Sequence, residues 1–163
     1  MSIYYVKGDA TKPITNGNKI IAHICNNKGG WGAGFVLSLS NAWSKPEQYY
    51  RKWFERSNNI SLGMVQYVLV DKNYKDGNLY VANMIAQNGY KSESNPVPLD
   101  YNALKVCLSD VADAAKSRNA SIHMPKIGCG LAGGDWNKIE QIIRSVVCTK
   151  GVQVYVYEYV ERR

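Results

Sequence analysis

Lys19-Ile20-Ile21-Ala22-His23-Ile24-Cys25, then Asn26-Asn27-Lys28-Gly29-Gly30-Trp31-Gly32-Ala33-Gly34, then an apolar segment from about Phe35 to Trp43, is the stretch that decides the fold. The first seven residues are a short apolar run, the length and character of a buried strand. The glycines that follow punctuate it, and the apolar segment beyond them reads as a helix. A second unit of the same kind lies near the other end of the chain. Ser121 to Met124 reads as a short strand and Pro125 to Gly134 as a glycine-rich loop. Trp136, Ile139, Ile143 and Val146 then form the inner stripe of a helix.

The remaining elements alternate in the same way. Ile3 to Val6 reads as a strand, and Ser44-Lys45-Pro46-Glu47 matches a capping box that starts a helix running to about Arg56. Gly63 to Val70 and Leu79 to Ile85, joined by the turn Lys75-Asp76-Gly77-Asn78, pair as a hairpin. Asn88 to Leu99 is a loop, and Asp100 caps a long helix carrying Leu104, Leu108, Val111 and Ala115 at helical spacing. Val152, Val154 and Val156 alternate with Gln153, Tyr155 and Tyr157 in a last strand. Strand–loop–helix units around an internal hairpin predict an α/β sandwich with a mixed sheet.

The 163 residues fit one domain, 1–163, and carry no repeat or linker that would divide it. A chain of that length buries roughly 70% of its unfolded surface and needs no metal or disulfide to hold a core. No apolar run approaches the ~18 residues of a membrane span. Met1 to Val6 lacks the features of a signal peptide, so a cytoplasmic monomer without membrane contact is expected. Cys25, Cys107, Cys129 and Cys148 are scattered, and with only His23 and His123 beside them no zinc cluster is suggested. The net charge of +7 favours anionic partners. The basic residues are spread out, Arg162-Arg163 being the one tight cluster, and no nucleic-acid stripe is visible.

Ligands of open α/β sheets bind beyond the carboxyl ends of the strands, where both glycine-rich loops fall. Glycine lets backbone N–H groups converge on an anion, and a helix starting after each loop adds its positive dipole end. Two such loops facing one another can clasp a diphosphate. Neither contains a Walker A sequence, and the Rossmann spacing is absent.

Val6-Lys7-Gly8-Asp9-Ala10-Thr11, His23-Ile24-Cys25-Asn26, Gly30-Trp31-Gly32-Ala33-Gly34 and Met124-Pro125-Lys126-Ile127-Gly128-Cys129-Gly130-Leu131 with Trp136 follow one another in an order that resembles a macro domain. The resemblance covers essentially the whole chain and implies a three-layer α/β/α fold that recognises ADP-ribose or a derivative of it. Within that family the chain looks most like the branch of terminal ADP-ribose protein glycohydrolase and yeast-type ADP-ribose-1''-phosphate phosphatase. The resemblance assigns Gly8, Asp9 and Ala10 to the adenine. It assigns Gly29, Gly30, Trp31, Gly32, Ala33, Gly34 and Phe35, with Ile127, Gly128, Cys129, Gly130, Leu131 and Ala132, to the diphosphate and distal ribose. Asn26 is placed on the distal-ribose hydroxyls.

The glycohydrolase branch would supply a lysine nucleophile and an aspartate at positions that here read Gln87 and Ala132. Neither can do that chemistry. The expected reaction is therefore hydrolysis of ADP-ribose 1''-phosphate, with His23 as the titratable group, Asn26 beside it and Asp135 as a further candidate. Asp135 also reads as a helix cap, Asp9 as a turn aspartate, Asn26 as a loop organiser, and Trp31 as a loop anchor. His23 and His123 also read as packed strand residues. No cofactor and no metal is implied. The competing readings are an ADP-ribose reader without turnover, and a hydrolase acting on ADP-ribosylated protein or nucleic acid.

Overall fold

Alternation along each strand sorts the core into two halves on opposite faces of one sheet. The computed structural model describes residues 3–159. Met1, Ser2 and the Arg162-Arg163 pair lie outside that range. The strands are β1 (Ile3–Lys7), β2 (Lys19–Asn26), β3 (Val65–Asp71), β4 (Leu79–Gln87), β5 (Ser121–Met124) and β6 (Val154–Glu158). They lie in the order β1-β6-β5-β2-β4-β3. All neighbours are parallel except β3 and β4, which form the expected hairpin. The helices are α1 (Phe35–Ala42), α2 (Lys45–Arg56), α3 (Tyr101–Arg118) and α4 (Trp136–Val146).

Ile20 and Ala22 of β2, with Met84, Ile122, Met124, Val154 and Val156, pack against Leu104, Leu108, Val111, Ile139 and Ile143 of α3 and α4. Ile21 and Cys25, one residue out of phase on β2, join Val81 and Ile85 against Leu39 of α1 and Tyr50 of α2. The result is the three-layer α/β/α arrangement over a mixed sheet. Among the described residues no helix is long and apolar enough to cross a membrane.

Helix ends follow the sequence except at α2. Asp100 accepts a hydrogen bond from the Ala103 N–H at 2.9 Å, as its place before α3 predicts. The predicted capping box at Ser44 does not form. Ser44 sits in helical geometry (φ −78°, ψ −27°) because α2 follows α1 after only two residues, and its hydroxyl caps nothing. Glu47 instead accepts from the Ser40 hydroxyl and from Arg51, each at 2.9 Å.

The outward face of the last strand is also covered. Tyr157 is buried, and its hydroxyl accepts from the Ile14 N–H at 3.0 Å. Its own proton then goes to His123 Nδ1, 2.8 Å away, leaving His123 Nε2–H to donate to the Ser121 hydroxyl at 2.8 Å. His123 is thus a packed strand residue that clasps the segment before β2. Burial pushes its pKa down to about 3.

The hairpin turn is held from below. Lys75 and Asp76 both take positive φ (47° and 60°), and the Gly17 N–H donates to the Lys75 carbonyl at 2.9 Å. The buried Lys19 ammonium donates to the carbonyls of Gly17, Tyr74 and Lys75. A Cβ on Gly77 would collide with the backbone carbonyl of Gly17, and backbone cannot swing aside. Gly77→Ala is therefore expected to lower unfolding stability by about 2 kcal/mol, within the overpacking range, read from urea denaturation. An unchanged midpoint would mean the two turns do not touch.

Candidate functional site

The carboxyl ends of β2, β4 and β5 open into a cleft of about 510 Å³ between the two glycine-rich loops, within the size range of ligand sites. Gly30, Trp31, Gly32, Ala33, Gly34 and Phe35 line one side. Ile127, Gly128, Gly130, Leu131 and Ala132 line the other, with His23, Asn26 and Gln87 at the strand ends. The loops expected to face one another do so.

The two helix starts beyond them differ. α1 follows Gly34, its N-cap, which has φ 82° and no side chain; the Leu37 N–H donates to the Gly34 carbonyl at 3.1 Å, and the N–H groups of Phe35 and Val36 before it can bind an anion. α4 begins at Asp135, whose carboxylate accepts from the Asn137 N–H at 2.9 Å. That carboxylate occupies the amino end expected to face the ligand, and Asp135 does not line the cleft. This geometry is that of a helix cap. Asp135→Ala should cost about 1 kcal/mol of stability and leave ligand affinity unchanged, as a thermal melt beside a titration would register.

Gly128 takes φ 77°, and its carbonyl accepts from the Gly134 N–H at 2.6 Å, which curls the second loop back on itself. Cys129 turns its thiol to the Ile127 carbonyl at 3.5 Å and burial raises its pKa, so it stands outside the cleft lining. Gly29 also lies outside, because its free side faces the Phe54 ring of α2. Gly8, Asp9 and Ala10 follow β1, three strands along the sheet from β2, and are not part of the lining. Asp9 Oδ1 accepts from the Thr11 N–H at 2.9 Å and the Thr11 hydroxyl at 2.7 Å, the turn role that its sequence position also suggested.

Asn26 holds the first loop in shape. Its Oδ1 accepts from the N–H groups of Lys28 (2.9 Å) and Gly30 (3.1 Å) and from the Tyr50 hydroxyl (3.1 Å). Its Nδ2 donates to the Gly30 carbonyl at 3.0 Å, leaving one amide hydrogen uncommitted. Gln87 donates to the Gly89 carbonyl at 3.0 Å.

His23 sits at the end of the cleft with 1% of its surface exposed. Trp31 closes over it edge-on, ring centroids 5.3 Å apart, and Phe35 flanks it at 5.9 Å. Trp31 is held there by its indole N–H, which donates to the Ser40 hydroxyl at 2.7 Å, so its main part is to anchor the loop. The Asn83 amide donates to Pro46 and Gln66, which turns its Oδ1 toward His23 Nε2 and fixes the proton on that nitrogen. Among the described residues His23 Nδ1 is left as a buried acceptor without a partner. Burial pushes the pKa down to about 4, so the imidazole is neutral at pH 7. A neutral imidazole with its Nδ1 open is placed to accept a hydrogen bond.

The lining also holds residues that were not site candidates in the sequence, Tyr90 and Lys126 being the polar ones. Tyr90, 55% exposed, lies over Gly30, and Lys126 pairs with Glu158 at 3.6 Å. Tyr90 stands in a polar loop whose only signal was an aromatic among Asn and Ser. Among the described residues no cluster of three or more His, Cys, Asp or Glu side chains is placed to hold a metal.

No family model matches the sequence. A mouse chromodomain-helicase-DNA-binding protein 1-like chain is 29% identical over 162 residues, 97% of this chain but 18% of its own length. This chain therefore spans under a fifth of that relative. An ADP-ribose 1''-phosphate phosphatase of Lodderomyces elongisporus is 24% identical over 148 residues, 88% of this chain and 91% of that one. Among solved structures, a Bacteroides thetaiotaomicron protein of unknown function is 50% identical, covers 98% of this chain and 99% of its own, and has a TM-score of 0.89. Thermosipho africanus DarTG in complex with ADP-ribose shares the fold at 12% identity (TM-score 0.69, 89% of this chain and 39% of that one). A macrodomain protein from Streptomyces coelicolor is 44% identical over 98% of this chain and 100% of its own, with a TM-score of 0.83. At that identity and coverage, with the sheet order and paired glycine loops already described, this chain belongs to the macro domain family.

Proposed function

We propose that the cleft binds ADP-ribose and that the protein hydrolyses ADP-ribose 1''-phosphate to ADP-ribose and phosphate. The observation that supports binding most is the pair of facing glycine loops with the uncapped start of α1 between them, a set of N–H donors for a diphosphate. The phosphatases that share this fold at low identity, and the related structure holding ADP-ribose, support the choice of ligand and reaction.

In this reading Gly8, Asp9 and Ala10 hold the adenine end. Asp9 keeps its Oδ2 for the amino group, since Oδ1 is taken by Thr11. The spare amide hydrogen of Asn26 and the Gln87 amide meet the distal ribose. His23 Nδ1 accepts from a ribose hydroxyl or from the attacking water, which gives the orphaned atom its partner. Recognition without turnover is the second reading. It is favoured by the lining itself, where the described residues include no carboxylate and the one histidine is neutral.

Calorimetric titration with ADP-ribose, followed by phosphate release from ADP-ribose 1''-phosphate, separates these readings. Binding with release supports the phosphatase. Binding alone makes the protein a reader, and no binding removes the ligand. His23→Ala, with folding checked by thermal melting, should abolish release and spare binding; release at the wild-type rate removes His23 from the reaction.

A further inference from the structure

We propose that the groove between α2 and the outer strand β3 binds single-stranded nucleic acid, one base on its aromatic rings and the adjoining phosphates on its two cations. This site is separate from the cleft. α2 turns Pro46 and Tyr50 into the core, and Tyr50 donates to the Asn26 carbonyl at 2.6 Å. Its outer side carries Tyr49, Lys52, Trp53 and Arg56, at spacings of three, four and seven that place all four on one stripe. These four side chains and Gln66 of β3 enclose about 460 Å³. The sequence alone scatters the basic residues; helix geometry gathers these two beside two rings.

The floor is fixed. Gln66 donates to the Tyr49 carbonyl and accepts from the Asn83 amide, each at 3.0 Å. On this same helix Arg51 is neutralised by Glu47 at 2.9 Å. Among the described residues Lys52 and Arg56 have no carboxylate within ion-pairing distance. Tyr49 is 44% exposed and Trp53 partly so.

Two unpaired cations alternating with aromatic rings in a concavity match a base face and its phosphates together. An acidic peptide would use the cations and leave the rings idle, and a duplex presents no base faces. β3 is an edge strand, so the groove is open along the side away from β4 and a chain can pass through it.

The test is fluorescence anisotropy with a labelled oligothymidylate of about ten nucleotides, within the span of a single-strand groove. Saturable binding is expected. The logarithm of the affinity should fall with that of salt at a slope of about −1.4, the value for two phosphates on a single strand. Lys52→Gln with Arg56→Gln should weaken binding at least about tenfold and flatten that slope. Tyr49→Ala should weaken it about fivefold or more with the slope kept, as loss of stacking requires. All three positions are exposed, so melting temperatures should not move, and saturating ADP-ribose should not displace the strand. Absence of binding, undiminished binding by the double variant, equal affinity for polyglutamate or an abasic strand, or displacement by ADP-ribose would each overturn the proposal.

Discussion

Gly130→Glu is expected to abolish ADP-ribose binding, at least about a hundredfold or roughly 3 kcal/mol, while leaving the melting temperature close to wild type. Gly130 lines the cleft, lies outside the left-handed region, and has no atom within 4 Å of the place a Cβ would occupy. A side chain added there meets no protein atom and can reach into the space between the loops. A carboxylate in that space meets the diphosphate with like charge, which costs several kcal/mol in a concave site. Gly128 is the contrasting position. Its φ of 77°, and the Ile139 and Leu99 side chains that a Cβ there would meet at 3.0 Å, make any side chain a folding defect first. Titration calorimetry and a thermal melt on both variants check this. Normal binding by a folded Gly130→Glu protein would place the ligand somewhere other than between the loops.

Acid is expected to destabilise the protein well above the range in which carboxylates protonate. Burial lowers His23 to about 4 and His123 to about 3, from an ordinary 6.5. Above pH 6.5 both rings are neutral in the folded and unfolded chains alike and contribute nothing to the pH dependence. Below it the unfolded chain takes up two protons that the folded one refuses, so stability falls as pH falls. By pH 4 the loss is about 3 kcal/mol for each ring, at ~1.4 kcal/mol per pH unit. Glu47 and Glu140 are held below the usual carboxylate range, by Arg51 and Ser40 and by Tyr5 respectively, and add their losses only at lower pH. Urea denaturation at pH 7, 6 and 5 isolates the histidines, and His123→Gln should halve the slope. Flat stability between pH 6.5 and 5 would mean that neither ring is sealed from water.

The architecture was legible in the sequence because each signal was local. Glycines mark where strand passes to helix, Asp100 announces α3, and Lys75-Asp76-Gly77 announces the hairpin. The cleft followed from the same punctuation, since both loops had to emerge at the same sheet end. The roles inside it depend on contacts between distant residues. His23 is neutral because Trp31 folds over it, and Trp31 does so because Ser40, a helix turn and a loop away, holds its indole. Ser44 fails as a cap because α1 ends two residues before α2 begins. Asp135 reads in the sequence first as a helix cap and also as a catalytic candidate, and only the fold brings the Asn137 N–H onto its carboxylate.

The place of β1 in the sheet has a consequence for how the chain comes to be assembled. β1 lies at the outer edge and pairs only with β6, Ile3 opposite Val154. During synthesis β1 therefore has no partner until nearly the whole of the described chain has been polymerised. The central strands β2 and β4, with the β3–β4 hairpin, can associate early, while closing the β1 edge waits on a contact of very high sequence separation. Until then the flank of the sheet is an open ladder, and the interval between the emergence of β4 and the arrival of β6 is when the nascent chain is most exposed to pairing with the wrong neighbour.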